Sequence, residues 1–118
     1  ATAVLAAAVS EAGGFGMIGA SLRTDPSWVR DQIQRARELT SRPFGVGFIS
    51  SGPGLEMVIT AVLDEKVAAV SHSFVDPTSF IREAQAAGVK VLAQVQTIAD
   101  ARAAADAGAD IIRQGRLR

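Results

Sequence analysis

His72, in the stretch AVSHSFVDP, is the only histidine of the chain and therefore the side chain whose ordinary pKa lies closest to neutrality. Proton transfer near pH 7 is the chemistry such a residue can carry. Nothing beside it in sequence favours that role over a packed or solvent-facing one. No Ser/His/Asp or Cys/His set can be assembled, cysteine is absent, and no histidine and carboxylate spacing suggests a metal site. Glycine is the other informative residue. In SEAGGFGMIGA, Gly13 and Gly14 precede an apolar run that holds Gly16 and Gly19, which puts bare backbone where dihedrals are unusual or where something comes close to the main chain. The last stretch, RQGRLR, carries three arginines in six residues. It reads as a solvated tail, as the product of truncation or a frameshift, or as a phosphate contact. No catalytic residue is assigned from these types alone.

Two kinds of segment would have to position these residues, and they alternate along the chain. In DPSWVRDQIQRARELT, Val29, Ile33, Ala36 and Leu39 fall on one helical stripe while Arg30, Gln34, Arg37 and Glu38 lie off it. Asp25 is the expected N-cap with Pro26 at the first helical position, and Asp76 and Pro77 repeat the pair before TSFIREAQAAG. Thr97 with Asp100 caps IADARAAADAG. Gly88 and Gly108 then end their helices in the left-handed conformation. The other segments, FGMIGA, FGVGFI, AAVSHS, VKVLAQV and ADII, are short and almost wholly apolar, which predicts parallel strands covered on both faces. Strand starts near Phe15, Phe44, Ala68, Val89 and Ala109 recur at the spacing of one strand, one helix and two loops. A faint internal repeat supports this, with Ala12-Gly13, Ala87-Gly88 and Ala107-Gly108 each ending a helix just before a strand.

A βα repeat builds either an open doubly wound sheet or a closed eight-stranded barrel. In the open sheet a glycine fingerprint follows the first strand and opens a helix; here GGFG follows a helix and opens a strand, so the barrel is favoured. The expectation is an α/β fold, a partial barrel of TIM type with about five parallel strands and flanking helices, lacking the first and last strands. With 118 residues the chain reads as a single domain, residues 1–118. A chain that opens without methionine inside a helical pattern is expected to have its true beginning upstream.

Twelve basic residues balance twelve acidic ones without a Lys/Arg cluster, so nucleic acid is not an expected partner. No apolar run reaches the length of a membrane span, and ATAVLAAAV lacks the basic flank of a signal peptide. A cytoplasmic protein acting on a small molecule is expected. Open sheet edges would favour a homo-oligomer that covers them.

AAAVSEAGGFGMIGA, RPFGVGFIS and AGVKVLAQVQTIADARAAADAGADII, in that order, resemble the nitronate monooxygenase family, formerly called 2-nitropropane dioxygenases. Related flavin barrels, among them flavin-dependent enoyl-acyl carrier protein reductases, share these pieces. The resemblance implies an FMN-dependent oxidoreductase that oxidises alkyl nitronates with molecular oxygen, the flavin lying across the C-terminal mouth of the barrel. It implies that Gly19 and Ala20, at the mouth end of their strand, make room for a flat ring, and that Gln94 is a polar residue facing the cofactor. Gln96 shares its face by alternation. Gly13 and Gly14, by contrast, read as a helix cap at the opposite end. At Gly47 the family typically has an asparagine that contacts the flavin, and its absence removes an anchor whose loss costs about 1–3 kcal/mol. His72 stands where the family has an aromatic. The family's catalytic histidine comes from a GGH motif after the sixth strand, and neither that motif nor the late phosphate loops occur in these residues. Three readings follow: a nitronate monooxygenase-like enzyme present as a fragment or degraded copy; a non-catalytic partial barrel that self-assembles; and another barrel acting on a phosphorylated metabolite, which leaves VSEAGGFGMIGA unexplained.

Overall fold

The computed structural model describes residues 2–20, 25–48, 54–73 and 77–115. Five helices and five strands alternate: α1 (Ala3–Glu11), β1 (Gly16–Ala20), α2 (Pro26–Leu39), β2 (Phe44–Phe48), α3 (Leu55–Asp64), β3 (Ala69–His72), α4 (Thr78–Ala86), β4 (Lys90–Val95), α5 (Ile98–Ala107) and β5 (Ile111–Gln114). All four strand pairs are parallel, and the order across the sheet is β1-β2-β3-β4-β5. That order separates the two architectures. A doubly wound sheet reverses its strand order at a switch point; this one advances a single step with every helix, which is the progression of a barrel wall. The fold is α/β, as its segment pattern predicts, and its strands begin within two residues of the expected positions.

Local chemistry accounts for the joints. Asp25 accepts a hydrogen bond from Ser27 N at 2.8 Å and Pro26 opens α2. Thr97 Oγ1 accepts from Asp100 N at 3.1 Å at the start of α5. Asp76 lies outside the described residues; α4 starts at Thr78 with Pro77 in the capping position. Three helix ends are made alike. Gly13, Gly88 and Gly108 take φ of +98°, +76° and +98°, and the next residue's N–H reaches back to Val9, Ala84 and Ala104 O at 3.0, 2.9 and 3.0 Å. The Ala-Gly repeat is thus one structural device used three times, each time aiming the chain from a helix into a strand.

Packing is one-sided. Ile18, Val46, Val70 and Val91 form a fully buried row on the helix-covered face, meeting Val29, Ile33, Val58, Val62 and Ile81 from the helices. The alternate strand residues are half-buried, in the pattern buried–intermediate along β1, and β5 is exposed along its whole length. This corrects the expectation of strands covered on both faces: apolar residues on the second face form the inner wall of a barrel, and here that face is partly open to solvent. It also corrects the stripe of α2, which buries Val29, Ile33 and Ala36 while Leu39 is 40% exposed. Leu39 is the last helical residue. Among the described residues no helix is long and apolar enough to cross a membrane.

At the end of the sheet where strands begin, Ser10 ties three elements together. Its hydroxyl donates to Pro43 O at 2.9 Å and accepts from Gly16 N at 3.0 Å, joining α1 to β1 and to the loop entering β2. A side chain at Gly16 would run into the carbonyl oxygen of Ala6, so this glycine is what lets α1 lie directly on the first strand.

Candidate functional site at the strand C-termini

Residues lying side by side on a parallel sheet share a face, and the register therefore sorts every polar residue near the strand ends. Gly19 pairs with Gly47, Gly47 with Ser71, and Ser71 with Leu92. Gln94 pairs with Arg113. Gly19, Gly47, Ser71, Gln94 and Arg113 are each the penultimate residue of their strand, and alternation puts all five on the face that the helices do not cover. The row carries two bare glycines and a hydroxyl at one level and, one same-face step further along β4 and β5, an amide and a guanidinium. In a barrel wall this is the inner rim at the C-terminal end, where barrel chemistry is carried out.

Its surface is flat at one end because nothing projects from it. Gly47 is half-buried, and a Cβ built there would lie 2.9 Å from Ser71 Oγ and 3.8 Å from Met17 Cε. The hydroxyl of Ser71 therefore occupies the space beside the missing side chain. One step further down the same face, a Cβ at Gly45 would meet Ala69 O at 2.5 Å and Met17 Sδ at 2.8 Å, so Met17 fills the floor beneath the glycine pair. Gln94 is half-buried, with its amide Nε2 3.1 Å from where a Cβ of Gly115 would stand; Gln96 flanks the same glycine at 3.3 Å and is exposed.

Gly19, Gly47 and Gln94 thus share one face, but Ala20 does not. It is 1% exposed and lies on the helix-covered side, paired with Phe48. Neighbouring strand residues point to opposite faces, so Gly19 and Ala20 could not both line the rim. Ala20 is corrected to a core residue. Ser71 and Arg113 are the members that reading the sequence passed over. Alternation from the buried Val70 would have pointed to Ser71; nothing short of the β4–β5 register would have taken Arg113 out of the arginine-rich tail.

His72 lies on the helix side as well. It is 2% exposed, paired with Phe48 and Ala93, and its ring meets Phe80 edge-on with centroids 5.1 Å apart. Burial pushes its pKa down to about 4, because a charged imidazolium would lose its hydration there. A neutral ring on the far side of the sheet is not placed to exchange protons with anything held by the rim. Among the described residues no group of three or more His, Asp or Glu could hold a metal ion.

Residues 1–57 match the family model described as nitronate monooxygenase. Among solved structures, FabK from Thermotoga maritima is 40% identical with a TM-score of 0.88, the alignment covering 94% of this chain and 35% of that one. A point mutant of the same Thermotoga maritima protein matches at 40% identity and TM-score 0.88, covering 94% of this chain and 37% of its own. The chain therefore spans about a third of the length of these structures.

Proposed function

We propose that this chain, whose residues 1–57 match the nitronate monooxygenase model and which is 40% identical to FabK over 94% of its length, supplies one side of the FMN site of an oxidoreductase that converts alkyl nitronates and molecular oxygen into carbonyl compounds and nitrite. The observation that carries this reading is the pairing of Gly19 with Gly47 on the uncovered face, since both lie inside the segment matched by the family model. Two adjacent glycines at the strand ends leave a shelf of main chain against which a flat ring can lie. The donor set fits such a ring. Ser71 Oγ stands beside Gly47, where the family's asparagine would project, and Gln94 brings an amide that both donates and accepts. When bound, FMN supplies the electron-accepting ring for oxidation of the nitronate. The chain's own contribution is to position that ring: Gly19 and Gly47 by close approach, Ser71 and Gln94 by hydrogen bonds to its polar edge. The cationic Arg113 on the same row would attract an anionic substrate such as a nitronate.

The purified chain titrated with FMN tests this. Binding should raise the melting temperature and perturb the visible spectrum of the flavin, and Gly19→Val, which covers the shelf, should abolish both effects. No thermal shift at about 1 mM FMN would leave no useful site. Nitrite release from an alkyl nitronate under oxygen then separates this reaction from that of a flavin-dependent enoyl-acyl carrier protein reductase, which forms none.

A second reading has its own observation. Seven of the large apolar residues left exposed lie on the elements at the two sheet edges: Val4, Leu5, Val9 and Phe15 at one, Ile98, Ile111 and Ile112 at the other. Both edge strands point the same way, so β5 of one copy could pair with β1 of the next. A colourless protein that elutes as a dimer or larger would favour this non-catalytic, self-assembling barrel; a monomer that binds FMN would exclude it.

A further inference from the structure

Far from the rim, at the end of the sheet where strands begin, the loops into β2 and β3 line an open hollow of about 360 Å³. Its walls hold three cations, Arg37, Arg42 and Lys66, and two hydroxyls, Thr40 and Ser41, with no carboxylate among the lining residues. Glu65 lies just behind Arg37, which it neutralises, its carboxylate 3.8 Å from the guanidinium. Glu11 accepts the Thr40 hydroxyl at 2.5 Å. With both carboxylates counted, that leaves an excess of one positive charge. Arg42 makes no side-chain hydrogen bond or ion pair among the described residues. Lys66 Nζ gives one of its three donors to Ala87 O at 2.9 Å and keeps two.

The backbone at Lys66 adds an independent observation. It is the only non-glycine residue with positive φ among those described, at +54°. Three other helices of this chain end with glycine in that conformation, and α3 alone ends with a lysine there. A side chain in the left-handed region is strained, and glycine would relieve the strain. The sequence therefore keeps a cationic side chain at this hollow against its local conformational preference.

We propose that this hollow is an oxyanion site for a phosphate group, with Arg42 and Lys66 as its principal ligands and Ser41 as a neutral donor. A guanidinium offers paired donors matched to phosphate oxygens, the ammonium a point charge, and the hollow has room for a phosphate and its first waters. It is separate from the rim, and its occupancy is independent of the flavin reading. Inorganic phosphate is the probe.

The test compares the chain with R42Q and K66G in about 20 mM phosphate and in chloride of equal ionic strength; with a dissociation constant near 1 mM, phosphate should raise Tm by about 7 °C over chloride. Both variants should lose at least half of that difference, while K66G without phosphate melts no lower than the parent chain because glycine relaxes the turn. General salting effects act on all three proteins alike and cancel in the comparison. An equal phosphate response in the parent and both variants, or none in the parent, overturns the proposal. Amide shifts of the parent chain decide independently of how the variants fold: phosphate-induced changes centred on residues 41–44 and 66–68 support the site, and changes confined elsewhere, or none, refute it.

Discussion

Acidification from pH 7 to pH 5 should weaken this fold through His72 in a way that can be calculated and isolated. The ring is 2% exposed, and its folded pKa is pushed from the ordinary 6.5 to about 4 by desolvation. The unfolded chain therefore takes up a proton as pH falls below 6.5, whereas the folded chain resists until about 4. The stabilisation is fully present above the unfolded value and is lost as pH falls through this window. At pH 5 the unfolded state gains a factor of about 30 from protonation and the folded state almost nothing, a loss of about 2 kcal/mol relative to pH 7. Carboxylates titrate in part of the same range, so the measurement is a difference. Urea unfolding at both pH values, for the parent chain and for His72→Phe, which keeps an aromatic ring against Phe80, should show the variant losing about 2 kcal/mol less. The reasoning is refuted if both proteins lose the same amount, or if the imidazole protons of folded His72 titrate near 6.5. The same result bears on function, because a histidine that stays neutral at pH 5 inside the core is no general acid for the rim.

Three further outcomes follow from particular contacts. Ser10→Ala removes the hydroxyl that satisfies both Gly16 N–H and Pro43 O, and should cost about 2 kcal/mol in urea unfolding. Gly16→Ala drives a methyl group into the Ala6 carbonyl, main chain that cannot swing away, and should cost about 3 kcal/mol, seen as a fall in Tm of roughly 10 °C. Gly47→Asn places an amide beside Ser71, whose Oγ must rotate aside; if the rim holds FMN as proposed, flavin titration should show binding tightened by about tenfold or more.

The joints of this protein were the easiest part to read. Asp25-Pro26, Thr97 with Asp100, and glycine after Ala12, Ala87 and Ala107 act within a few residues of themselves, so their geometry is written locally. Strand positions were legible for a related reason, since unbroken apolar runs between helix caps leave little else for the chain to do. Lys66 shows where local reading stops. It ends a helix as the glycines do, and its residue type carries no hint of its left-handed backbone.

Sequence alone determined the βα repeat, the caps of α2 and α5, the glycine ends of three helices and the side of the wall on which Val29, Ile33 and Ala36 are buried, because capping and periodicity are properties of short stretches. Which residues stand together was decided only by the fold. Gly19, Gly47, Ser71, Gln94 and Arg113 are separated by 19 to 28 residues along the chain; parallel pairing sets Gly19, Gly47 and Ser71 side by side and Gln94 beside Arg113, all on one face. A shift of one residue in any register would have sent part of that row into the helix-covered core, where Ala20 and His72 lie.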